Sequence, residues 1–182
     1  MKKERIVTFG TPVLREKAEP VRAFHKKLHA FIDAMKFTLM NTGDAAALAA
    51  PQVSVARRIT VINYLGEYHE MVNPEILERT GGVVEYEGCL SFPGFSGKVK
   101  RFETVKVKFQ DRHGREHVIE RSGRMARCIQ HEVDHLDGVL YIDRMQDEFV
   151  INDDKKTKLA VKDLLKLYSA GAGAGGGGGG VS

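Results

Sequence analysis

Apolar residues recur at three- and four-residue steps through Phe24, Leu28, Phe31, Ile32, Met35 and Leu39, which predicts an amphipathic helix over residues 22–42. Beyond it the period shortens to two. Arg58–Tyr64, Glu70–Asn73 ahead of Pro74, and Val83–Tyr86 read as short strands. Val99–Glu120 reads as a hairpin, alternating through Thr104, Val105, Lys106, Val107, Lys108 and Phe109, with a turn at His113-Gly114. A second helical stripe follows in Met125, Ile129, Val133 and Leu136, with Ser122 placed as N-cap and Gly138 as the stop. A third stripe, Val161, Leu164, Leu165 and Tyr168, predicts a C-terminal helix over Lys155–Tyr168. Its other faces carry Lys155, Lys156, Lys158, Lys162 and Lys166. Helix, then strands, then helix is the order of an α+β fold.

The 182 residues suffice for one domain with a real core, expected over 1–168, and the glycine-rich remainder, 169–182, reads as a flexible tail. An apolar fraction of 42% with 29% charged residues is ordinary for a globular protein. No apolar run approaches a membrane span, and the opening MKKERIVTFG is too charged for a secretory leader. Only two cysteines occur, which argues for a reducing compartment, the cytoplasm, and against a disulfide framework.

The candidate chemistry lies in the second helix. His131 and His135 stand one turn apart with Glu132 between them. On a helix the two imidazoles share a face, spaced by about 6 Å along the axis, and can reach one metal ion. Glu132 lies about 100° round, too far to be a ligand but near enough to touch a water there. The same spacing in His25 and His29 lacks a carboxylate and has lysines between, and reads as a solvated helix face.

Such a site needs a third protein ligand and an open fourth position. The protease continuation HExxHxxGxxH has Gly138 in place but Tyr141 where its last histidine belongs. Asp143, Glu148 and Asp153 remain candidates. Cys128 and His135 are separated by about 10.5 Å of helix axis, so Cys128 reads as a small apolar wall residue. Cys89, in Glu87-Gly88-Cys89-Leu90-Ser91 after a strand-like stretch, is the kind of distant loop cysteine a tetrahedral Cys-His-His site requires.

The stretches LAAPQ at 48–52, EGCLS at 87–91 and QHEVDHL at 130–136, in this order, resemble the peptide deformylases, as does the opening IVTFGTPVLREKAEPV. The resemblance runs from about residue 5 to 147. It implies antiparallel or mixed β-sheets packed around a central HExxH helix, with further helices towards each end. It implies a hydrolase that removes the formyl group from the N-terminal formyl-methionine of nascent proteins. Cys89, His131 and His135 would bind one divalent metal, natively ferrous iron, with zinc, nickel or cobalt able to replace it. Glu132 would be the general base, and the Leu90 N–H and the Gln52 amide would hold the oxyanion. An extended peptide would add as a strand near 45–48 and 90–96. Ala45, Ala46, Ala47, Leu48, Gly88, Met125 and Cys128 would line its binding site.

One departure stands out. The family's first motif carries glycines where this chain has Ala45 and Ala47. Glycine permits positive φ and close backbone approach, so slower turnover or a narrower side-chain preference is expected. Some members of that family dock on the ribosome through a basic C-terminal helix, and this one could do so by nonspecific phosphate contacts, but at a net charge of +4 a solvated helix face is the favoured reading. A monomer is expected, with no membrane partner and no sequence-specific nucleic acid.

Overall fold

Two antiparallel sheets sandwich the central helix. The computed structural model describes residues 2–172. Helix α1 (Lys26–Met40) leads into β1 (Ala47–Ala49), β2 (Ile59–Tyr64) and β3 (Glu67–Thr80). Then come β4 (Val83–Cys89), β5 (Phe92–Arg101), β6 (Thr104–Gln110) and β7 (Glu116–Ser122). Helix α2 (Gly123–Leu136), β8 (Phe149–Asn152), β9 (Lys158–Ala160) and α3 (Val161–Ala172) complete the described chain. One sheet has the order β1-β2-β3-β6-β7 and the other β4-β5-β8-β9, and every pairing of these strands is antiparallel.

The α+β reading holds, with shifts that have physical causes. Helix α1 begins at Lys26 rather than 22, because His25 adopts an extended backbone and its ring accepts the Leu28 N–H. His25 is therefore a cap. His29 is half-buried, its ring bonded to the Arg112 carbonyl at 2.8 Å, so the pair is not simply a solvated face. Pro74 does not end a strand. β3 runs through it because the register shifts between Val72 and Glu75, a bulge that removes the need for a proline N–H. Asn73 takes φ 53° there and ties the bulge to Val21 and Gln110 through its amide. The predicted hairpin is β6–β7 alone, turning around Asp111 and Gly114; Val99 belongs to the other sheet.

Helix α2 is the pillar of the molecule. Met125, Ala126, Ile129 and Val133 pack with Ile62, Met71, Val105, Val107 and Phe109 of the larger sheet. Ser122 occupies the N-cap position, but its hydroxyl pairs with Thr104 instead of capping. Gly138 ends the segment at φ +71°, and a Cβ there would lie 2.6 Å from the Arg15 carbonyl oxygen, so only glycine fits.

The C-terminal helix is displaced from its predicted span. After β8, Asp153, Asp154 and Lys155 make a turn, Lys158–Ala160 is a strand, and α3 starts only at Val161, running past 168 into the predicted tail. Leu164 is buried against Phe92, Val99, Tyr141 and Val150. Of the five lysines assigned to the helix, Lys162 and Lys166 lie on it, and Lys166 pairs with Asp163. The Tyr168 side chain and residues 173–182 of the predicted tail lie outside the described residues.

Candidate active site

The cysteine reaches the histidines through strand alternation and a tight return. Glu87 and Cys89 are two residues apart on β4 and share a face. The chain reverses at Leu90-Ser91, where the Ser91 N–H donates to the Cys89 sulfur at 3.4 Å. From α2, His135 Nε2 lies 3.3 Å from Cys89 Sγ, and the ligand atoms of Cys89, His131 and His135 all fall within 4.8 Å of one another. Among the described residues no other His, Cys, Asp or Glu group converges this way, so Asp143, Glu148 and Asp153 drop out as third ligands. Metal–sulfur and metal–nitrogen bonds of about 2.3 and 2.0–2.1 Å put tetrahedral ligands roughly 3.3–3.7 Å apart, so the donor set fits a single ion after small side-chain adjustments.

A buried charge network fixes the ligands. His131 Nδ1 is 2.9 Å from Glu87 Oε2, which leaves Nε2 for the metal. Glu87 also accepts two bonds from Arg101, at 2.8 and 3.0 Å, and one from Arg127 at 2.7 Å. Arg101 continues to Asp134, which Arg144 holds from outside. Burial alone would push the Glu87 carboxyl up, but the bonds from His131 and Arg101 win and hold it far below the usual carboxylate range. Burial would likewise push His131 down, yet Cys89 and Glu87 keep it well above an ordinary imidazole. His135 lacks such a partner: its Nδ1 is buried without a hydrogen bond, and burial together with His131 keeps its ring well below the ordinary value.

Glu132 is 4% exposed and touches Thr60 at 3.5 Å. Burial pushes its carboxyl up to about 7, against the pull of His131, where it can both accept and return a proton near neutrality. Gln52 is anchored by its Oε1, which accepts the Ala49 N–H at 2.9 Å. That leaves its amide nitrogen aimed at Cys89 Sγ (3.6 Å) and Ser91 Oγ (3.4 Å), at the metal-binding corner.

A cavity of about 1000 Å³ opens on these groups, lined by Ala45–Ala47, Gln52, Tyr64, Val84–Leu90, Arg124, Cys128, His131 and Glu132, among others. Ala45, Ala46, Ala47, Gly88, Leu90 and Cys128 all line this cavity. Leu48 and Met125 do not, since both side chains are core: Leu48 packs with α1 and β2, Met125 with the larger sheet. Helix geometry explains Met125. It sits about 120° from His131 around α2, whereas Arg124 is only about 20° away. Arg124, Tyr64, Tyr86 and Val84 were missed as wall residues, and for Arg124 the seven-residue step back from His131 was the signal.

Two further corrections concern the peptide-binding strands. Residues 90–96 do not form an edge, because β5 is flanked by both β4 and β8; the open edge on that side is β4. On the opposite wall β1 is an edge. The Asn63 N–H donates to the Ala46 carbonyl, so alternation turns the N–H and C=O of Ala47 towards the cleft. Neither Ala45 nor Ala47 has positive φ, and the Ala47 methyl is packed in the α2 core cluster. Positive φ is therefore not a cause of slower turnover, and the Ala47 methyl is largely turned into the core. Ala47→Gly is expected to leave kcat/KM within about threefold and to cost roughly 1 kcal/mol of stability, from the lost methyl and the freer backbone. Parallel formate-release and urea-unfolding measurements check both parts, and a large rise in kcat/KM would restore the steric argument.

Known proteins match this chain in sequence and fold. The family model for polypeptide deformylase matches residues 3–149. A peptide deformylase of Heliobacterium modesticaldum is 45% identical over 143 residues, covering 79% of this chain and 94% of the relative. One from Halothermothrix orenii is 46% identical over 144 residues, covering 78% and 92%. The crystal structure of the peptide deformylase of Thermotoga maritima, 41% identical, superposes with a TM-score of 0.78 over 81% of this chain and 100% of that one. The chain belongs to the peptide deformylase family, hydrolases that remove the N-formyl group from nascent peptides.

Proposed function

We propose that Cys89, His131 and His135 hold one divalent cation and that Glu132, Gln52 and Leu90 carry out the hydrolysis beside it. The observation that supports this most strongly is the meeting of one thiol and two imidazoles within 4.8 Å, next to a buried carboxylate and at the floor of an open cleft. Bound there, a divalent ion supplies Lewis-acid activation of the water and the formyl carbonyl. Glu132 takes the proton from the attacking water and returns it to the leaving amine, acting first as base and then as acid. The Gln52 amide and the Leu90 N–H donate to the oxygen that gains charge, and each such donor is worth about 10²–10³ in rate.

The formyl-methionyl peptide enters as a strand between β1 and β4. Its N-terminus faces Gln52 and Cys89, and its backbone bonds to Ala47. It therefore runs antiparallel to β1, leaving the metal-binding corner towards Ala45. Gly88 lines the opposite wall, and Cys128 closes the pocket for the first side chain.

Ferrous iron is the native ion in this reading because kinship with the deformylases implies it; the donor set of one thiolate and two imidazoles by itself also suits zinc, nickel or cobalt. The protein acts as a monomer in this reading. No described helix is long and apolar enough to cross a membrane. That the substrate arises at the ribosome supports a cytoplasmic site of action. A ribosome contact through α3 itself would have only Lys162 and Lys166 to draw on among the described lysines.

Formate release from a short formyl-methionyl peptide, with protein reconstituted anaerobically with ferrous iron, tests the assignment. Release should depend on the ion and be lost on chelation. Equal turnover in the chelated protein would contradict it.

A further inference from the structure

The outer face of the four-stranded sheet interleaves cations with exposed aromatics. Directly opposed residues of an antiparallel pair share a face, and here Tyr86 pairs with Lys98 and Val84 with Lys100. The intervening Val99 and Arg101 point inward, to the core and the buried charge network. The same face continues through Ser96, paired with Ile151, and Ile151, paired with Lys158. Phe149, two residues before Ile151, shares it too. Tyr86 is 52% exposed, Phe149 48% and Val84 48%. The lysines 98, 100 and 158 are exposed and have no acidic partner among the described residues, and the Lys98 ammonium lies 5.7 Å from the Tyr86 ring centre. Nearby acids are largely engaged, Glu85 with Arg127 and Asp153 with Ser96, while Asp147 and Glu148 bound the face at the β8 corner.

We propose that this face binds single-stranded RNA without sequence preference. Unpaired bases stack on Tyr86 and Phe149, and the lysines neutralise the phosphates between them. Cations alone would suit any polyanion, but exposed rings set among them favour a ligand that offers flat, unpaired bases. A duplex hides those bases, and a lipid surface calls for an apolar wedge rather than a pleated lysine row. Tyr86 and Val84 also line the catalytic cavity, so the bound strand would lie beside the cleft that admits the peptide. The inference does not depend on the deformylase assignment.

The test is fluorescence anisotropy of a mixed-sequence RNA of about 12 nucleotides, within the span such platforms cover. The full chain is titrated at several salt concentrations, with duplex RNA and phosphatidylglycerol vesicles as comparators. Single-stranded RNA should bind better than duplex, with a log–log salt slope near −2 for three lysine contacts. Lys98→Glu with Lys100→Glu should weaken binding at least tenfold and flatten the slope by about 1.4. Phe149→Ser should weaken it roughly fivefold or more with the slope unchanged. Formate release from a small peptide should stay within twofold in these variants, which also shows that they fold. Equal affinity for duplex and single strand, displacement by the vesicles, or indifference to either class of substitution would overturn the proposal.

Discussion

Glu132→Gln is expected to lower kcat for formate release by about 10²–10⁴ while leaving KM, metal content and melting temperature nearly unchanged. Glutamine keeps the volume and the Thr60 neighbour but cannot accept the proton of the attacking water. The wild-type carboxyl is buried and pushed up to about 7, so exchanging it for a neutral amide removes no charge that the fold relies on. Loss of activity with an intact ion and an intact melting curve is the signature of a proton-transfer residue. A variant that keeps more than about a tenth of wild-type kcat would remove Glu132 from the chemistry.

Glu87→Ala should act in the opposite way, on stability and metal retention before chemistry. The substitution leaves Arg101, Arg127 and His131 facing one another in the interior without their shared acceptor. Removing one partner of a buried ionic group typically costs about 3–5 kcal/mol, because the charges left behind are uncompensated. For a chain of this size that lowers the melting temperature by on the order of 10 °C. His131 also loses the group that fixes its ring, which should weaken metal binding about 10–100-fold. Urea unfolding and competition with a chromogenic chelator measure the two effects separately. A cost under about 1 kcal/mol with undiminished metal retention would mean that the network is ornamental.

The contrast between these two glutamates shows what the sequence could and could not convey. Glu132 is legible because helix periodicity is local: three residues define a face, and the role follows from which way each points. Glu87 lies inside the EGCLS stretch, yet its role is not legible there, because its partners come from β5 and α2, 14 to 44 residues away. The alternation Glu87-Gly88-Cys89 could have placed it on the cysteine's face, but not beside an arginine. The same limit explains Leu48 and Met125, which sit in or beside correct motifs and still face the core. It explains β3 as well, where a bulge that only tertiary pairing creates lets Pro74 stay within a strand. The displaced α3 is a different failure. Val161, Leu164 and Leu165 of its apolar stripe do lie on the helix, but the turn after Asn152 and a short strand occupy the residues expected to form its first turns.

The thiolate of Cys89 as third ligand decides the account most directly, and cobalt substitution reads it. Protein loaded with one cobalt ion per chain should show an intense sulfur-to-metal charge-transfer band. The band should persist in Cys128→Ala and vanish in Cys89→Ala, even where cobalt remains bound to His131 and His135. A band that survives loss of Cys89, or one that depends on Cys128, would contradict the site described above.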